Sequence, residues 1–361
     1  MKTLFDETQL SGLKLKNRFV RSATHDGRAD ALGHVTQKLI DHYEELAKGG
    51  VGTIITGLTN VTDIEKIIPS QMAIYDDSFI AEYQKLTGAV HQYDVNIIVQ
   101  LVCNGAQNKS KNAGELWAPS AIEGEPTVAG ATEMTKADIE AMKDAFVNGA
   151  LRAKKAGFDG VQLHVAHGYL LSRFLTPYYN RRTDEYGGDT ANRARIVLEI
   201  CHDVRESVGP DYPVLAKINC SDFMDQGLTS DECKYICKLL EGVGLSAIEI
   251  SGGTALSRAN ESVIRKVTSD TESYFKPYAA DIAEALNIPV ICVGGHRDIN
   301  KLEEVVSETK IEYVSLCRPF IREPDLINRW VNGDRTPAKC ISCTKCFGSE
   351  TQCVFNKFKN Q

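Results

Sequence analysis

The chain has 361 residues, 43% hydrophobic and 25% charged, an ordinary globular balance with enough length to bury a core without staples. Its 41 basic and 48 acidic side chains leave a formal charge of −7, which excludes a broadly basic nucleic-acid binder. No apolar run approaches the roughly 18 residues a membrane helix needs. Asp6 and Glu7 sit where a secretory signal would have its apolar stretch, so a cytoplasmic protein with no membrane partner is expected.

Short Val/Ile-rich runs alternate with amphipathic stretches from one end to the other. Arg18–Ala23 reads as the first strand, and Thr36–Lys48, ending at Gly49-Gly50, as the helix after it. Val51–Gly57 with Asp77–Tyr93 and Val95–Leu101 with Thr135–Ala156 repeat the unit; Thr135 and Asp138 resemble a capping box. The series continues with Gly160–His164 and Thr190–Val208, then Val214–Asn219 and Thr229–Glu241. Ala247–Gly252 with Lys276–Leu286, Pro289–Gly295 with Asp298–Glu308, and Ile311–Arg318 with Glu323–Val331 complete it. Eight such units predict a parallel sheet, either closed or open. No G-x-G-x-x-G follows the first strand, which weighs against the simplest dinucleotide fold. Polar residues instead end nearly every strand: Thr24-His25, Gln100, His164, Lys217, Ser251 and Arg318. A (β/α)8 TIM barrel gathers all eight strand ends at one mouth. Residues 1–335 are therefore expected to form the barrel and 336–361 a cysteine-rich tail. Segments 102–134, 165–188 and 253–275 are expected as loops over the mouth.

The densest chemistry lies in Gln162–Asp189. His164 should close a strand, with His167 and Tyr169 in the first turn beyond it. Two imidazoles there can donate to one carbonyl oxygen, and a phenol can deliver a proton. The same H-x-x-H could supply two of three metal ligands, so spacing alone leaves a metal-dependent lyase or hydrolase open. Arg181, Arg182 and Asp184 read as braces of the long loop.

H-x-x-H-G-Y-L, followed by F-L-T-P, N-R-R-T-D-E-Y-G-G and N-R, resembles the signature of the old yellow enzyme family, FMN-dependent ene-reductases on a (β/α)8 barrel. K-N-R-F-V-R-S-A-T-H at Lys16–His25, Gln100-Leu101, Val293-Gly294-Gly295 and Cys317-Arg318-Pro319 extend the resemblance to about Leu326. It implies reduction of the C=C bond of small α,β-unsaturated carbonyl compounds with NADH or NADPH as reductant. His164 and His167 would hold the carbonyl oxygen, and Tyr169 would protonate the adjacent carbon. Ser22, Ala23, Thr24 and His25 would line the flavin ring, Gly57 would pack its backbone against it, and Gln100 would bond its pyrimidine edge. Lys217 would stand near flavin N1 and O2, where a cation favours the anionic reduced form. Gly294, Gly295, Cys317 and Arg318 would bind the FMN phosphate.

Two departures stand out. Many relatives read Q-L-x-H-A-G-R where this chain has Q-L-V-C-N-G-A, so Cys103 and Ala106 replace a His and an Arg, and a less basic pocket is expected. Cys340, Cys343, Cys346 and Cys353 resemble the cluster that holds a [4Fe–4S] centre in the larger 2,4-dienoyl-CoA and bile-acid-type reductases, but their spacing is tighter. Four such thiolates could ligate an iron–sulfur cluster or zinc, or stand as reduced thiols; the last is the expectation. An electron-transfer protein built on that tail is the non-catalytic alternative. The sequence leaves a homo-oligomer open.

Overall fold

The computed structural model describes residues 2–65, 68–107, 115–348 and 350–356. Eight parallel strands close into a barrel: β1 (Phe19–Arg21), β2 (Thr53–Asn60), β3 (Asn96–Val102), β4 (Gly160–Val165), β5 (Val214–Asn219), β6 (Ala247–Ser251), β7 (Val290–Cys292) and β8 (Tyr313–Leu316). Each pairs with its neighbour in sequence, and β1 bonds both β2 and β8, which completes the ring. Nearly every strand residue is buried, as expected of strands covered on both faces.

Helices α1 (Gln37–Lys48), α2 (Ile80–His91), α3 (Lys136–Lys155), α5 (Thr190–Val208), α6 (Ser230–Gly242), α7 (Lys276–Ala285) and α8 (Ile299–Glu308) cover the outside, and the short α4 (Leu170–Leu175) lies buried after β4. Capping is written into the sequence. Thr135 and Asp138 form the expected reciprocal box at α3, and Thr229 with Glu232 forms a second at α6. None of the described helices is long and apolar enough to cross a membrane.

Several boundaries differ from the sequence reading. Segment 165–188 contains α4, because L-L-S-R-F-L buries all six side chains. Segment 102–134 contains two short paired strands, Leu116–Ala118 and Ala131–Glu133. The last stretch is two helices, α9 (Arg318–Arg322) and α10 (Leu326–Val331), because Pro324 cannot donate and disfavours a helical Glu323. The seventh strand stops at Cys292; Gly294 and Gly295 take φ of 130° and 76° and leave the ladder. β2 runs past Gly57 to Asn60 through a register shift between Ile55 and Leu58.

The barrel interior has two storeys. The lower is apolar: Val20, Ile55, Ile98, Leu215, Ile291 and Tyr313 pack together, and a hairpin (Thr8–Leu10 with Leu13–Leu15) plugs it with Leu10 and Leu15. One inward step further along the strands the residues become polar, and there the cavity begins.

Candidate active site

A cavity lies at the C-terminal ends of the strands and holds about 1100 Å3 of empty space, part of it open to solvent. Barrel mouths are where this architecture gathers functional groups. His164 and Gln100 reach it from β4 and β3, and Lys217 from β5. Strand register explains the grouping. His164 is level with Lys217, and Lys217 is level with Glu249 on β6.

Beyond β4 the chain turns sharply. His167 adopts φ 65°, which a non-glycine residue takes only when held there. Its N–H donates to Asn219 Oδ1 at 3.2 Å, and its Nε2 lies 2.8 Å from Ser251 Oγ. The turn brings the His167 ring to 5.2 Å and the Tyr169 ring to 4.6 Å from that of His164, centre to centre. Burial, reinforced by the Lys217 charge, drops His164 to a pKa of about 3. Burial, with His164 and Lys217 adding to it, also holds His167 far below the usual histidine range. Both rings are therefore neutral, and each carries one N–H. His164 Nδ1 is buried without a hydrogen-bond partner, a costly state unless something in the cavity meets it. Burial pushes the Tyr169 phenol up to about 12, so it keeps its proton.

Ser22, Ala23, Thr24 and His25 line the wall after β1. Burial lowers His25, leaving another neutral imidazole. At the far end stand Gly294, Gly295, Cys317 and Arg318. A Cβ on Gly295 would lie 2.7 Å from the Tyr274 ring, so the close approach requires glycine. Arg318 Nη1 donates to the Arg265 carbonyl at 2.8 Å, and the Arg265 guanidinium sits over Tyr274 at 4.5 Å.

Gly57 alone among the expected cavity residues does not line the cavity. Its N–H donates to Tyr43 Oη at 2.7 Å, and a Cβ there would meet the Thr24 carbonyl at 2.6 Å. It braces the wall from behind. Cys103 and Ala106 are also buried behind the wall, and the Cys103 carbonyl accepts from Leu170 N–H at 3.2 Å. Neither lines the cavity; Ala106 packs with Ala118, Val128 and Tyr179.

Sequence reasoning missed several contributors. Glu249 lies beneath the cavity floor, fully buried. Tyr274 and Phe275 come from segment 253–275. Ser342 and Phe347 come from the tail, which is pinned to the mouth by Thr351: its N–H donates to the Asp26 carbonyl at 3.0 Å and its hydroxyl to the His25 carbonyl at 2.5 Å.

The four tail cysteines line one separate small cavity. Burial raises Cys340 and takes Cys346 to about 11, so both are neutral thiols. Among the described residues no three His, Cys, Asp or Glu side chains are grouped so as to hold a metal ion.

Comparison with known proteins matches residues 3–336 to the NADH:flavin oxidoreductase / NADH oxidase family model. An NADH oxidase of Thermoanaerobacter brockii is 34% identical over 96% of this chain and 53% of its own length. An NADPH dehydrogenase of Geobacillus thermodenitrificans is 36% identical over 89% of this chain and 91% of its own. The structure of a 2-naphthoyl-CoA reductase in complex with 2-naphthoyl-CoA superposes with a TM-score of 0.88 at 26% identity, over 95% of this chain and 54% of that one. The chain thus spans about half the length of the oxidase and of the reductase, and most of the dehydrogenase.

Proposed function

The chain belongs to the NADH:flavin oxidoreductase / NADH oxidase family, and from that premise we propose that it is an FMN-dependent ene-reductase of the old yellow enzyme kind, acting on α,β-unsaturated carbonyl compounds with NADH or NADPH. The observation that carries this reading is the meeting of three neutral, protonated donors – His164, His167 and Tyr169 – with Lys217 in one cavity. A site built to bind a metal through these histidines would need a third ligand, and among the described residues none joins them.

The residues fit FMN on three counts. At about 1100 Å3, its solvent-open part included, the cavity lies just above the roughly 300–1,000 Å3 of common ligand sites and has room for a small molecule. Glycines 294 and 295 bring backbone beside a guanidinium, a combination suited to a phosphate dianion. Lys217 offers a cation at the floor. Ser22, Ala23, Thr24, His25, Gln100 and Lys217 would hold the ring system, and Gly294, Gly295, Cys317 and Arg318 the phosphate. Bound FMN supplies a two-electron carrier, accepting a hydride from the reduced nicotinamide and delivering one to the β-carbon of the enone.

The protein's own share is electrostatic and protic. Negative charge grows on the carbonyl oxygen as the β-carbon is reduced; His164 would meet it with its ring N–H, and His167 with Nδ1–H while Nε2 accepts from Ser251 Oγ. Neutral imidazoles do this without protonating it. Tyr169 holds its proton until the α-carbon becomes basic enough to take it, then gives it up as general acid. The barrel of residues 1–335 would carry this chemistry, and the 336–361 tail would wall the cavity through Ser342 and Phe347.

The test separates the half-reactions by stopped flow. Tyr169→Phe should leave flavin reduction by the nicotinamide close to normal and slow reoxidation by an enone by roughly 10²–10⁴-fold. Quinones, which need no carbon protonation, should reoxidise both proteins alike. Slow flavin reduction with intact enone turnover would remove Tyr169 from the proton-donor role.

A further inference from the structure

The buried polar storey contains one carboxylate to which the chemistry above gives no role. Glu249 sits mid-strand in A-I-E-I-S on β6 and is fully buried. Three strands of the barrel and the chain just beyond β1 send donors to it. Ser22 Oγ and Ser315 Oγ each donate to Oε1 at 2.7 Å, and Lys217 Nζ donates to the same oxygen at 3.2 Å. Gln162 Nε2 donates to Oε2 at 2.9 Å, and Gln162 Oε1 in turn accepts from Gln100 Nε2 at 2.8 Å. Ser22 Oγ also accepts from Lys217 Nζ at 2.8 Å. Serine, ammonium and carboxylate therefore close a three-membered ring of hydrogen bonds.

The arrangement fixes Lys217. An ammonium has three N–H donors, and two are committed to Ser22 and Glu249. Lys217 also lines the cavity, so its third donor is the one left for a cavity occupant. The register pairing of Lys217 with Glu249 puts the opposite charges at one level on adjacent strands. Burial by itself would raise the Glu249 carboxyl, but the Lys217 charge and the bonds from Ser22, Ser315 and Gln162 override it and hold the group low. The carboxylate is thus ionised beside a buried cation, and the field that the cation sends into the cavity is largely cancelled.

We propose that Glu249 is a positioning residue that holds Lys217 against the pyrimidine edge of the bound flavin and offsets its charge, so that the Glu249–Lys217 pair sets the flavin's midpoint potential. The inference rests on the reading of the cavity as an FMN site. A lone buried lysine would stabilise the anionic reduced flavin strongly; paired, it stabilises it weakly, and the flavin stays a ready hydride donor.

The test is the two-electron midpoint potential of the FMN-loaded protein, read by dye equilibration at pH 6, where an unpaired lysine is most readily kept charged. Glu249→Gln should favour reduced over oxidised FMN by ten- to a hundredfold relative to wild type. At about 30 mV per tenfold for a two-electron couple, that is a rise of about 30–60 mV. In a Lys217→Met background the same substitution should shift the potential by less than a third as much, since Glu249 acts through the lysine. Ser315→Ala removes one donor and keeps the carboxylate, whose charge then falls more fully on Lys217, so it should move the potential the opposite way by a smaller step; it serves if Glu249→Gln does not fold. An unchanged potential in Glu249→Gln, or an equal shift with and without Lys217, would overturn the proposal. If the wild-type protein takes up no flavin, it is the FMN reading that fails.

Discussion

The two storeys of the barrel interior are one inward step apart and could hardly differ more. Val20 is followed by Ser22, Ile98 by Gln100, Leu215 by Lys217, Ala247 by Glu249, and Tyr313 by Ser315. The lower residues form a cluster plugged by an N-terminal hairpin. The upper ones form a hydrogen-bonded net that ends at a cavity. Strands, backbone geometry and burial are shared, so the difference is one of side-chain chemistry alone. The lower storey stabilises without direction, by removing apolar surface from water. The upper stabilises only while every donor has its acceptor, and its value lies in holding charge and N–H groups at fixed places.

The comparison breaks most sharply where a charge loses its partner. Glu249→Leu should cost the apoprotein about 3–5 kcal/mol in urea unfolding, because Lys217 is left buried and unpaired. If stability is unchanged, the upper net is not held together by that pair. At the cavity surface the cost should appear in rate rather than stability. His164→Ala should slow enone reduction about a hundredfold, equivalent to about 3 kcal/mol of transition-state stabilisation, with little change in the unfolding midpoint. A large stability loss with normal turnover would make His164 a packing residue.

How much of this is legible in the sequence follows the same division. The lower storey and the barrel follow from Val/Ile-rich runs spaced by amphipathic stretches, since period and burial are local properties. His164, His167 and Tyr169 are legible because one short turn carries all three. Glu249 is not. A single acid within A-I-E-I-S signals a buried partner, but which strand supplies it depends on the register of β5 against β6, fixed only when the barrel closes. Ser342 and Phe347 depend on the path of the tail across the mouth, which spacing does not encode. The cysteine spacing leaves open where the four thiols lie; the fold lines one small cavity with all of them.

Acid should sharpen the contrast by a smaller amount. His164 is neutral in the fold down to about pH 3 and His296 to about pH 4, both through burial, whereas in the unfolded chain they take up protons near pH 6.5. Their folded pKa values are depressed, so the stability they contribute is full above about pH 6.5 and is lost as the pH falls through the window toward 4 and 3. Each should contribute a slope of at most about 1.4 kcal/mol per pH unit. His164→Asn should flatten the urea-midpoint profile between pH 6 and 4; an unchanged slope would mean that this imidazole is protonated in the fold. The smallest effect belongs to the lower storey. Ile98→Val should cost about 0.5–1.5 kcal/mol and leave flavin potential and turnover as they were. A changed potential would show that the storeys are coupled.

The central claim is that the polar storey and its mouth form a flavin site. Titrating the flavin-free protein with FMN and following the visible flavin bands tests it most directly. The expected result is saturation at one FMN per chain, weakened in Arg318→Ala through loss of a two-pronged phosphate contact. A protein that stays colourless, or that takes up FMN equally well without Arg318, would contradict the site as described.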